Sequence, residues 1–297
     1  MNAKYAPYQT EEGFTSTRPL PSSEELKIFY AETYYQTPKS TTYQSEYSSL
    51  DLDYKFLKSK ALIHAINALK KLKGKTFLDI GTGEGFLLNE AQIIGSKVTG
   101  LDFSDFGVNK FFPHLISDHI KGDVFDSLSM LISEGTKFSV CASTNVLEHV
   151  VNPDLFIQQI RQLLEPNGVV AITVPNDYSD IQLLARKEGY IDNDFWFVPP
   201  DHLNYFNAES LLNYMSNKRF EILDAFSDFP IDLFLLHSGS NYIADKSKGF
   251  EANKARMQHD VLLAGKYGLD KYLEYYRAMF KVGLGRDVTI IARMLKE

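Results

Sequence analysis

The sequence contains little cysteine, no dense basic cluster and no long apolar run. Cys141 is the single cysteine among 297 residues, so no disulfide can form within the chain, and we expect a reducing, cytoplasmic location. Lys and Arg together number 31 against 38 Asp and Glu, a formal net charge of −7, which argues against a broad nucleic-acid surface. No apolar run approaches the length of a membrane span, and the polar N-terminus lacks an apolar signal region. We therefore expect neither nucleic acid nor a membrane as a partner.

Spacing typical of a metal site is also missing from the sequence. Asp, Glu and His are scattered, without a pattern such as two histidines one helical turn apart. We therefore expect no metal, and a divalent ion held by Glu148, Asp177 and a histidine remains the alternative. Cys141 lies in an apolar segment and is expected in the core rather than as a nucleophile.

The most informative segment is the glycine-rich stretch Thr76–Leu88, TFLDIGTGEGFLL. An apolar run passes through Gly81, Gly83 and Gly85 into a helix-like segment, and glycines permit the tight turn and the close approach of a ligand to the backbone. A second predicted strand, KVTGLD, ends at Asp102, at about the spacing of 20 residues expected for a carboxylate that binds ribose hydroxyls. The two features together predict an adenosine-containing cofactor.

The details of this stretch favour a cationic cofactor over a dinucleotide or a nucleoside triphosphate. Phe86 stands where a dinucleotide motif requires glycine or alanine, and no GK[ST] of a P-loop follows. Asp79, just before the first glycine, would repel a phosphate but suits a sulfonium with an amino-acid tail. The stretch resembles the first motif of the class I S-adenosylmethionine-dependent methyltransferases, an acidic residue, any residue, then GxGxG.

Further motifs extend this resemblance to residues 55–228, and residues 286–295 resemble the same family again. They are the segment Gly122–Phe125 and the segment Phe138–Asn176, which is similar to the fourth strand, loop, helix and fifth strand of the family. The resemblance implies S-adenosylmethionine as cofactor and S-adenosylhomocysteine as product. The cofactor-binding residues it implies are Asp79, Gly81, Thr82, Gly83, Asp102, Phe103, Asp123, Val124 and Asn145.

Periodicity along the chain predicts an α/β fold. We predict strands at 76–80, 97–101, 118–121, 137–142 and 169–174, alternating with helices at 85–94, 104–111, 126–133 and 153–164, the last capped by Asn152. A helix at 53–72 precedes them; a helix at 208–217 and strands at 220–226 and 287–295 follow. This alternation predicts a doubly wound, mostly parallel Rossmann-like sheet, and the resemblance implies that its final strand is antiparallel.

Two regions are predicted to lie outside the methyltransferase domain, which comprises 55–228 and 286–297. Residues 1–54 form an N-terminal arm or cap, without periodicity in the first 20 residues and with a helix start near Ser22 or Ser23. Residues 229–285 form a helical insertion with helices around 251–264 and 268–281. The insertion is a candidate acceptor cap or oligomer interface, which leaves a homo-oligomer open.

The loops after the fourth and fifth strands are expected to face the methyl group, because ligands of open α/β sheets bind beyond the carboxyl ends of the strands. A hydroxyl acceptor requires a base, and histidine titrates near neutrality. His149 and His202 are therefore the predicted catalytic residues, although either could be structural. The predicted acceptor contacts are Glu148, Asn176, Asp177, Tyr178 and Tyr205.

The predicted reaction is methyl transfer to a hydroxyl of a small molecule. A looser likeness of VPNDYSDIQ and FWFVPPDHLNYFN to methyltransferases of bacterial sugar and polysaccharide pathways favours a sugar or nucleotide-linked sugar as acceptor. Four cations of the C-terminal part could meet its phosphates: Lys254, Arg256, Lys266 and Arg286. The alternatives are another small acceptor, such as a quinone, a polyketide, an amine or a carbon, and a non-catalytic cofactor-binding protein.

Overall fold

A seven-stranded sheet organises the chain, for which a computed structural model describes residues 4–22, 25, 26, 29 and 47–295. The strand order is β5-β4-β3-β6-β7-β10-β9. These strands are β3 (Thr76–Ile80), β4 (Lys97–Asp102), β5 (His119–Lys121), β6 (Phe138–Thr144), β7 (Leu164–Pro175), β9 (Phe220–Ser227) and β10 (Asp287–Met294). The pairs from β5 to β7 are parallel, and β10 runs antiparallel between β7 and β9. The predicted fold class is confirmed.

Eight α-helices lie within the described residues. They are α1 (Ser49–Leu69), α2 (Phe86–Ile93), α3 (Phe106–Phe111), α4 (Val124–Ser133), α5 (Pro153–Leu163), α6 (Asp180–Lys187), α7 (Ala208–Asn217) and α8 (Gly249–Lys281). Local sequence explains several of their ends. Asn152 accepts a hydrogen bond from the Leu155 amide at the start of α5, and Asn207 caps α7 through the Ser210 amide, because a side-chain oxygen satisfies an amide that the first helical turn leaves unpaired.

The core lies on both faces of the sheet, as in a doubly wound fold. Successive strand residues point to opposite faces, so Phe77 packs with residues of α1 and α2, whereas Leu78 packs with residues of α4 and α5. Cys141 is fully buried on the second face, in agreement with the prediction that it belongs to the core.

The insertion before the last strand is largely helical. Helix α8 spans its C-terminal part and breaks at Gly268, where φ is 81° and ψ is 168°; this break corresponds to the boundary between the two predicted helices. Helix α8 packs against α1 and β9. It thereby covers the end of the sheet where β9 and β10 meet.

The N-terminal arm differs from the prediction. Residues 4–22 form a hairpin of β1 (Ala6–Gln9) and β2 (Thr15–Arg18), and β2 pairs with β8 (Asn204–Tyr205) in a small second sheet. Phe14, at the turn, stacks on Phe206 with ring centroids 4.5 Å apart. The helix predicted from Ser22 or Ser23 lies largely outside the described residues.

Two other differences lie in and after β7. The strand predicted at 169–174 already begins at Leu164, with Asn167 at φ 61° and a register irregularity opposite β6. Helix α6 was not predicted; Ser179 caps it through the Gln182 amide. None of the helices in the described part of the chain combines the length and apolar character needed to cross a membrane.

Candidate active site

The loop after β3 leaves space for a ligand against its backbone. Gly81, Gly83 and Gly85 have φ values of 77°, 57° and 88°, a region that side chains other than glycine rarely adopt. A Cβ atom on Gly81 would lie 2.2 Å from Cγ2 of Val146. The backbone of the turn therefore favours glycine at all three positions, and close contact with the neighbouring loop adds a second reason at Gly81.

Asp79 is a buried carboxylate without a full set of partners. Its side chain is 2% exposed, and Oδ2 has no hydrogen-bond partner. Burial, followed by the charge of Asp102, raises the pKa of Asp79 to about 7. A buried carboxylate of this kind is stabilised by a positive ligand, as the sequence predicts for a sulfonium with an ammonium-bearing tail.

Asp102 lies at the end of β4 and holds the glycine loop. Its Oδ2 accepts a hydrogen bond from the Gly83 amide at 2.8 Å, and its Oδ1 accepts one from the Ser104 amide at 3.0 Å. Burial raises the pKa of this carboxyl. Each carboxylate oxygen can accept a second hydrogen bond, so the predicted ribose contact remains available. Thr82 is held by the loop itself, with Oγ1 3.0 Å from the Asp79 carbonyl oxygen.

Three residues are expected from the resemblance to contact the adenine of the cofactor: Phe103, which directly follows β4, and Asp123 and Val124, which follow β5. Asp123 caps α4, accepting from the amides of Phe125 and Asp126 at 2.8 and 3.2 Å, and Val124 is the first residue of that helix. Phe103 is 57% exposed. The adenine contacts stay a prediction.

A cleft of about 1030 Å³, including its open mouth, begins at the glycine loop. One end is lined by Asp79, Gly81 and Thr82, and Asn145 from the end of β6 lines it as well. Asn145 has a φ of 55°, a conformation rare outside glycine, and functional sites often contain such residues. The opposite end is lined by residues of α1, β9, β10 and α8: Tyr54, Lys58, Phe226, Ser227, Tyr272, Asp287 and Thr289.

These features fit S-adenosylmethionine. The partnerless oxygen of Asp79 suits the positive end of the cofactor, Gly81 and Thr82 line the open cleft beside it, and Asp102 retains acceptor capacity for ribose hydroxyls. The cofactor would thus lie against the glycine loop with its charged end toward Asp79.

A second polar cluster forms where the loop after β6 meets the segment before β8. Glu148, His149 and His202 offer three possible ligand atoms within 4.8 Å of one another, and the two imidazole rings pack edge to face at 4.8 Å. Asn204 joins the two segments, because its amide donates to the carbonyls of Leu147 and Val150. This is the group, among the described residues, that could hold a divalent ion.

The charges of this cluster argue against His149 as a base. Burial alone would lower the pKa of His149, but a hydrogen bond to Asp201 and the Glu148 charge raise it to about 9. An imidazole with that pKa is protonated at neutral pH and cannot accept another proton. Glu148 is 1% exposed, neither of its oxygens has a hydrogen-bond partner, and burial raises its pKa. Neither histidine lines the cleft.

The predicted acceptor contacts after β7 mostly bind the protein itself. Asn176 donates to the carbonyls of Gly283 and Gly285 and accepts from the Ala208 amide, which favours a structural role. Asp177 accepts from Arg286 at 2.7 Å; burial would raise its pKa, but the Arg286 charge holds it below the usual range.

The two predicted tyrosine contacts also pack within the protein. The Tyr205 hydroxyl donates to the His202 carbonyl at 2.7 Å. Tyr178 packs edge to face on Trp196, with ring centroids 5.4 Å apart. Neither tyrosine lines the cleft.

The four cations predicted to meet phosphates do not converge. Arg286 binds Asp177, Arg256 donates to Asn253 at 2.7 Å, and Lys254 lies 3.8 Å from Glu251. Lys266 lies over the ring of Tyr267, 5.1 Å from its centroid. Separate partners of this kind argue against a shared phosphate pocket.

Sequence reasoning missed the polar residues at the far end of the cleft. Lys58, Asp228 and Asp287 come from three distant parts of the chain, and none belongs to a motif. The available signal was weak: Asp228 directly follows β9 and Asp287 begins β10, so the antiparallel pairing of these strands brings the two aspartates to the same end of the sheet.

Comparison with known proteins agrees with this site. The sequence model of a family described as "Methyltransferase domain" matches residues 55–225, more than half of the chain. A ubiquinone biosynthesis O-methyltransferase of Chelativorans sp. (strain BNC1) is 30% identical over 110 residues, 37% of this chain and 44% of that protein. One of Bradyrhizobium diazoefficiens is 28% identical over 156 residues, 50% of this chain and 62% of that protein. The chain spans about half the length of the curated relatives it matches.

Among solved structures, the [4+2]-cyclase SpnF has a TM-score of 0.51 with 19% identity, covering 94% of this chain and 98% of that chain. This likeness concerns the fold. The chain belongs to the methyltransferase domain family, in its S-adenosylmethionine-dependent class. The predicted family and cofactor are thereby confirmed, whereas the resemblance to sugar-pathway methyltransferases finds no support among these relatives.

Proposed function

We propose that the protein transfers a methyl group from S-adenosylmethionine to a hydroxyl of a small molecule. The observation that carries this proposal is the cleft at the glycine loop, where the buried, partnerless oxygen of Asp79 meets the requirements of a cationic ligand. S-adenosylmethionine supplies an activated methyl group on a positively charged sulfur. The protein then has to align the acceptor with it and accept one proton.

Residues of the glycine loop are assigned to binding and orientation. Asp79 is the counter-charge for the positive end of the cofactor. Asp102 fixes the loop through the Gly83 amide and accepts from the ribose hydroxyls. Asn145, held by the bond from its amide to the Thr173 carbonyl at 2.9 Å, contacts the region between cofactor and acceptor.

A hydroxylated aromatic ring of the quinone type is the acceptor class we favour. The curated relatives described above are named for ubiquinone biosynthesis, and the far end of the cleft has aromatic walls in Tyr54, Phe226 and Tyr272. Flat apolar rings pack well on such side chains. The nucleotide-linked sugar was the leading expectation from the sequence; the separate partners of the four cations give it no phosphate site.

Both predicted outlying regions contribute to the cleft. Tyr54 comes from the region preceding residue 55, and Tyr272 comes from the insertion. The positions of these two tyrosines support the proposal that residues 1–54 and the insertion both cover the acceptor. For the insertion, this role is favoured over an oligomer interface. Cytoplasmic location and the exact domain boundaries stay predictions.

Calorimetry and turnover test the proposal together. Asp102→Ala is expected to weaken binding of S-adenosylmethionine by roughly 1.5–3 kcal/mol, the value of a hydrogen bond to a charged group. Asp192→Ala, at an exposed site, is the matched control. Transfer of labelled methyl to a panel of phenols, catechols and nucleotide sugars then identifies the acceptor class. Unchanged affinity of the Asp102 variant, or a wild-type protein that does not bind the cofactor, would contradict the proposal.

A further inference from the structure

The end of the cleft opposite the glycine loop contains Lys58 and Asp287, which are both held in place by the buried carboxylate of Asp228. Asp228 is 1% exposed and uses both carboxylate oxygens. Oδ1 accepts from the amides of Arg286 and Asp287 at 2.8 and 2.7 Å, and Oδ2 accepts from Nζ of Lys58 at 3.1 Å. Asp228 therefore anchors the start of β10 and the Lys58 ammonium at the same place.

Close packing of the strand ends keeps this arrangement rigid. A Cβ atom on Gly285 would lie 2.4 Å from the Cβ of Ser227, so β10 can begin directly beside the end of β9 only with glycine there. Both Ser227 and Asp287 line the cleft as a result.

Lys58 and Asp287 keep hydrogen-bonding capacity toward the cleft. An ammonium group has three donors, and among the described residues Asp228 is the partner of one. Within the same part of the chain, no donor binds the Asp287 carboxylate, whereas the Asp287 amide donates to Asp228. A carboxylate and a cation with free positions at one end of a cleft are suited to a polar ligand group that must lose a proton.

We propose that this end of the cleft binds the acceptor, with Asp287 taking the proton of the reacting hydroxyl and Lys58 stabilising the oxygen as it becomes negative. The proposal rests on the proposed function and names its base and its oxyanion partner. It replaces the two predicted histidines in that role.

The proposed step balances without a further reactant. The acceptor O–H bond breaks and its proton goes to Asp287. The acceptor oxygen forms a bond to the methyl carbon as the bond from that carbon to sulfur breaks, and the electron pair of that bond stays on sulfur. The positive charge of the sulfonium is thereby neutralised, and Asp287 returns its proton to water.

The electrostatic surroundings of Asp287 agree with this role. Burial, followed by the Asp228 charge, raises the pKa of Asp287 to about 6, against the opposing charges of Lys58, Arg286 and Arg256. A base with a pKa near the working pH is ionised yet able to hold a proton. As the pH falls through about 6, Asp287 becomes protonated, so kcat/KM is expected to fall on the acid side.

The deciding variant is Asp287→Asn, which keeps the size and the backbone amide of the residue. Glu221→Gln, an exposed carboxylate of β9 paired with Arg293, is the matched control. Lys58→Gln tests the second residue, with Lys60→Gln on the same helix as its control. Urea unfolding verifies that each variant is folded; if Lys58→Gln is not, Asp287→Asn alone decides.

Three measurements are made on each variant. Calorimetry gives the affinity for S-adenosylhomocysteine. With 3,4-dihydroxybenzoate as the probe, ultraviolet absorption reports on the probe bound to the S-adenosylhomocysteine-loaded protein, and labelled S-adenosylmethionine reports on methyl transfer to it. We expect Asp287→Asn to bind S-adenosylhomocysteine like wild type, to lose the phenolate absorption of the bound probe, and to lower kcat by roughly 10²-fold or more. Its pH profile should lose the acid limb near pH 6. His202→Ala should retain the phenolate band.

Several results would overturn the assignment. These are an Asp287→Asn variant with wild-type turnover and phenolate band, a probe that does not bind the loaded wild-type protein, and loss of the band in His202→Ala but not in Asp287→Asn. Failure of the proposed function looks different: S-adenosylhomocysteine does not bind, or the wild type methylates no acceptor while the phenolate band still reports on Asp287.

Discussion

Asp79→Asn should stabilise the ligand-free protein in a way that depends on pH. The ordinary pKa of 3.8 is raised to about 7 in the folded protein, so the folded state binds the Asp79 proton more tightly than the unfolded chain does. This contribution to stability is present at low pH and is lost as the pH rises from 3.8 to 7.

The magnitude follows from the shift. One pKa unit corresponds to about 1.4 kcal/mol, so holding the carboxylate ionised costs the folded protein roughly 4 kcal/mol above pH 7 and roughly 1.5 kcal/mol at pH 5. Asparagine does not titrate. Its own packing and hydrogen-bond effects are the same at both pH values and cancel in the comparison. The stability of Asp79→Asn relative to wild type should therefore rise by roughly 2.5 kcal/mol between pH 5 and pH 8.

Urea unfolding at the two pH values measures this change. Asp192→Asn is the control, because an exposed carboxylate should show little difference. Saturating S-adenosylmethionine should stabilise wild type more than Asp79→Asn at pH 8, since only the wild type offers a counter-charge. A relative stability that is the same at pH 5 and pH 8 would refute the reasoning about this buried carboxylate.

Two further expectations concern the glycine loop and metal dependence. Gly81→Ala, with φ at 77° and a Cβ 2.2 Å from Val146 Cγ2, should displace the loop that lines the cleft and lose most affinity for S-adenosylhomocysteine by calorimetry. Gly189→Ala, where a Cβ meets no atom within 4 Å, should keep this affinity; equal affinities would contradict the role of the glycine loop in binding. EDTA should leave methyl transfer unchanged, because Asp287 and Lys58 need no ion. Activity lost to EDTA and restored by Zn²⁺ or Mg²⁺ in wild type, but not in Glu148→Gln, would instead locate a metal at Glu148.

The residues predicted to bind the cofactor could be proposed from the sequence because they belong to local elements. Asp79, Gly81 and Asp102 belong to two consecutive strand–loop units, and the turn itself requires the glycines. The same holds for α5, where Asn152 and Pro153 specify the helix start within a few residues.

Features that depend on distant contacts were missed or misjudged. The hairpin around Phe14 is held by Leu203 and Phe206, nearly 200 residues later, since the Thr17 amide donates to the Leu203 carbonyl. The proposal for the base depends on similar contacts between distant parts of the chain. His149 looked suitable from its place after β6, but the carbonyl of Asp201, more than 50 residues away, holds its Nδ1 at 2.7 Å.

The two ends of the cleft are lined by residues from different parts of the sequence. The donor end belongs to the matched region 55–225, whereas six residues of the other end lie outside that region: Tyr54, Phe226, Ser227, Tyr272, Asp287 and Thr289. In this architecture, substrate range can diverge among relatives without disturbing the shared donor machinery. Swapping the C-terminal segment between two such proteins would be a direct route to exchanging what they modify.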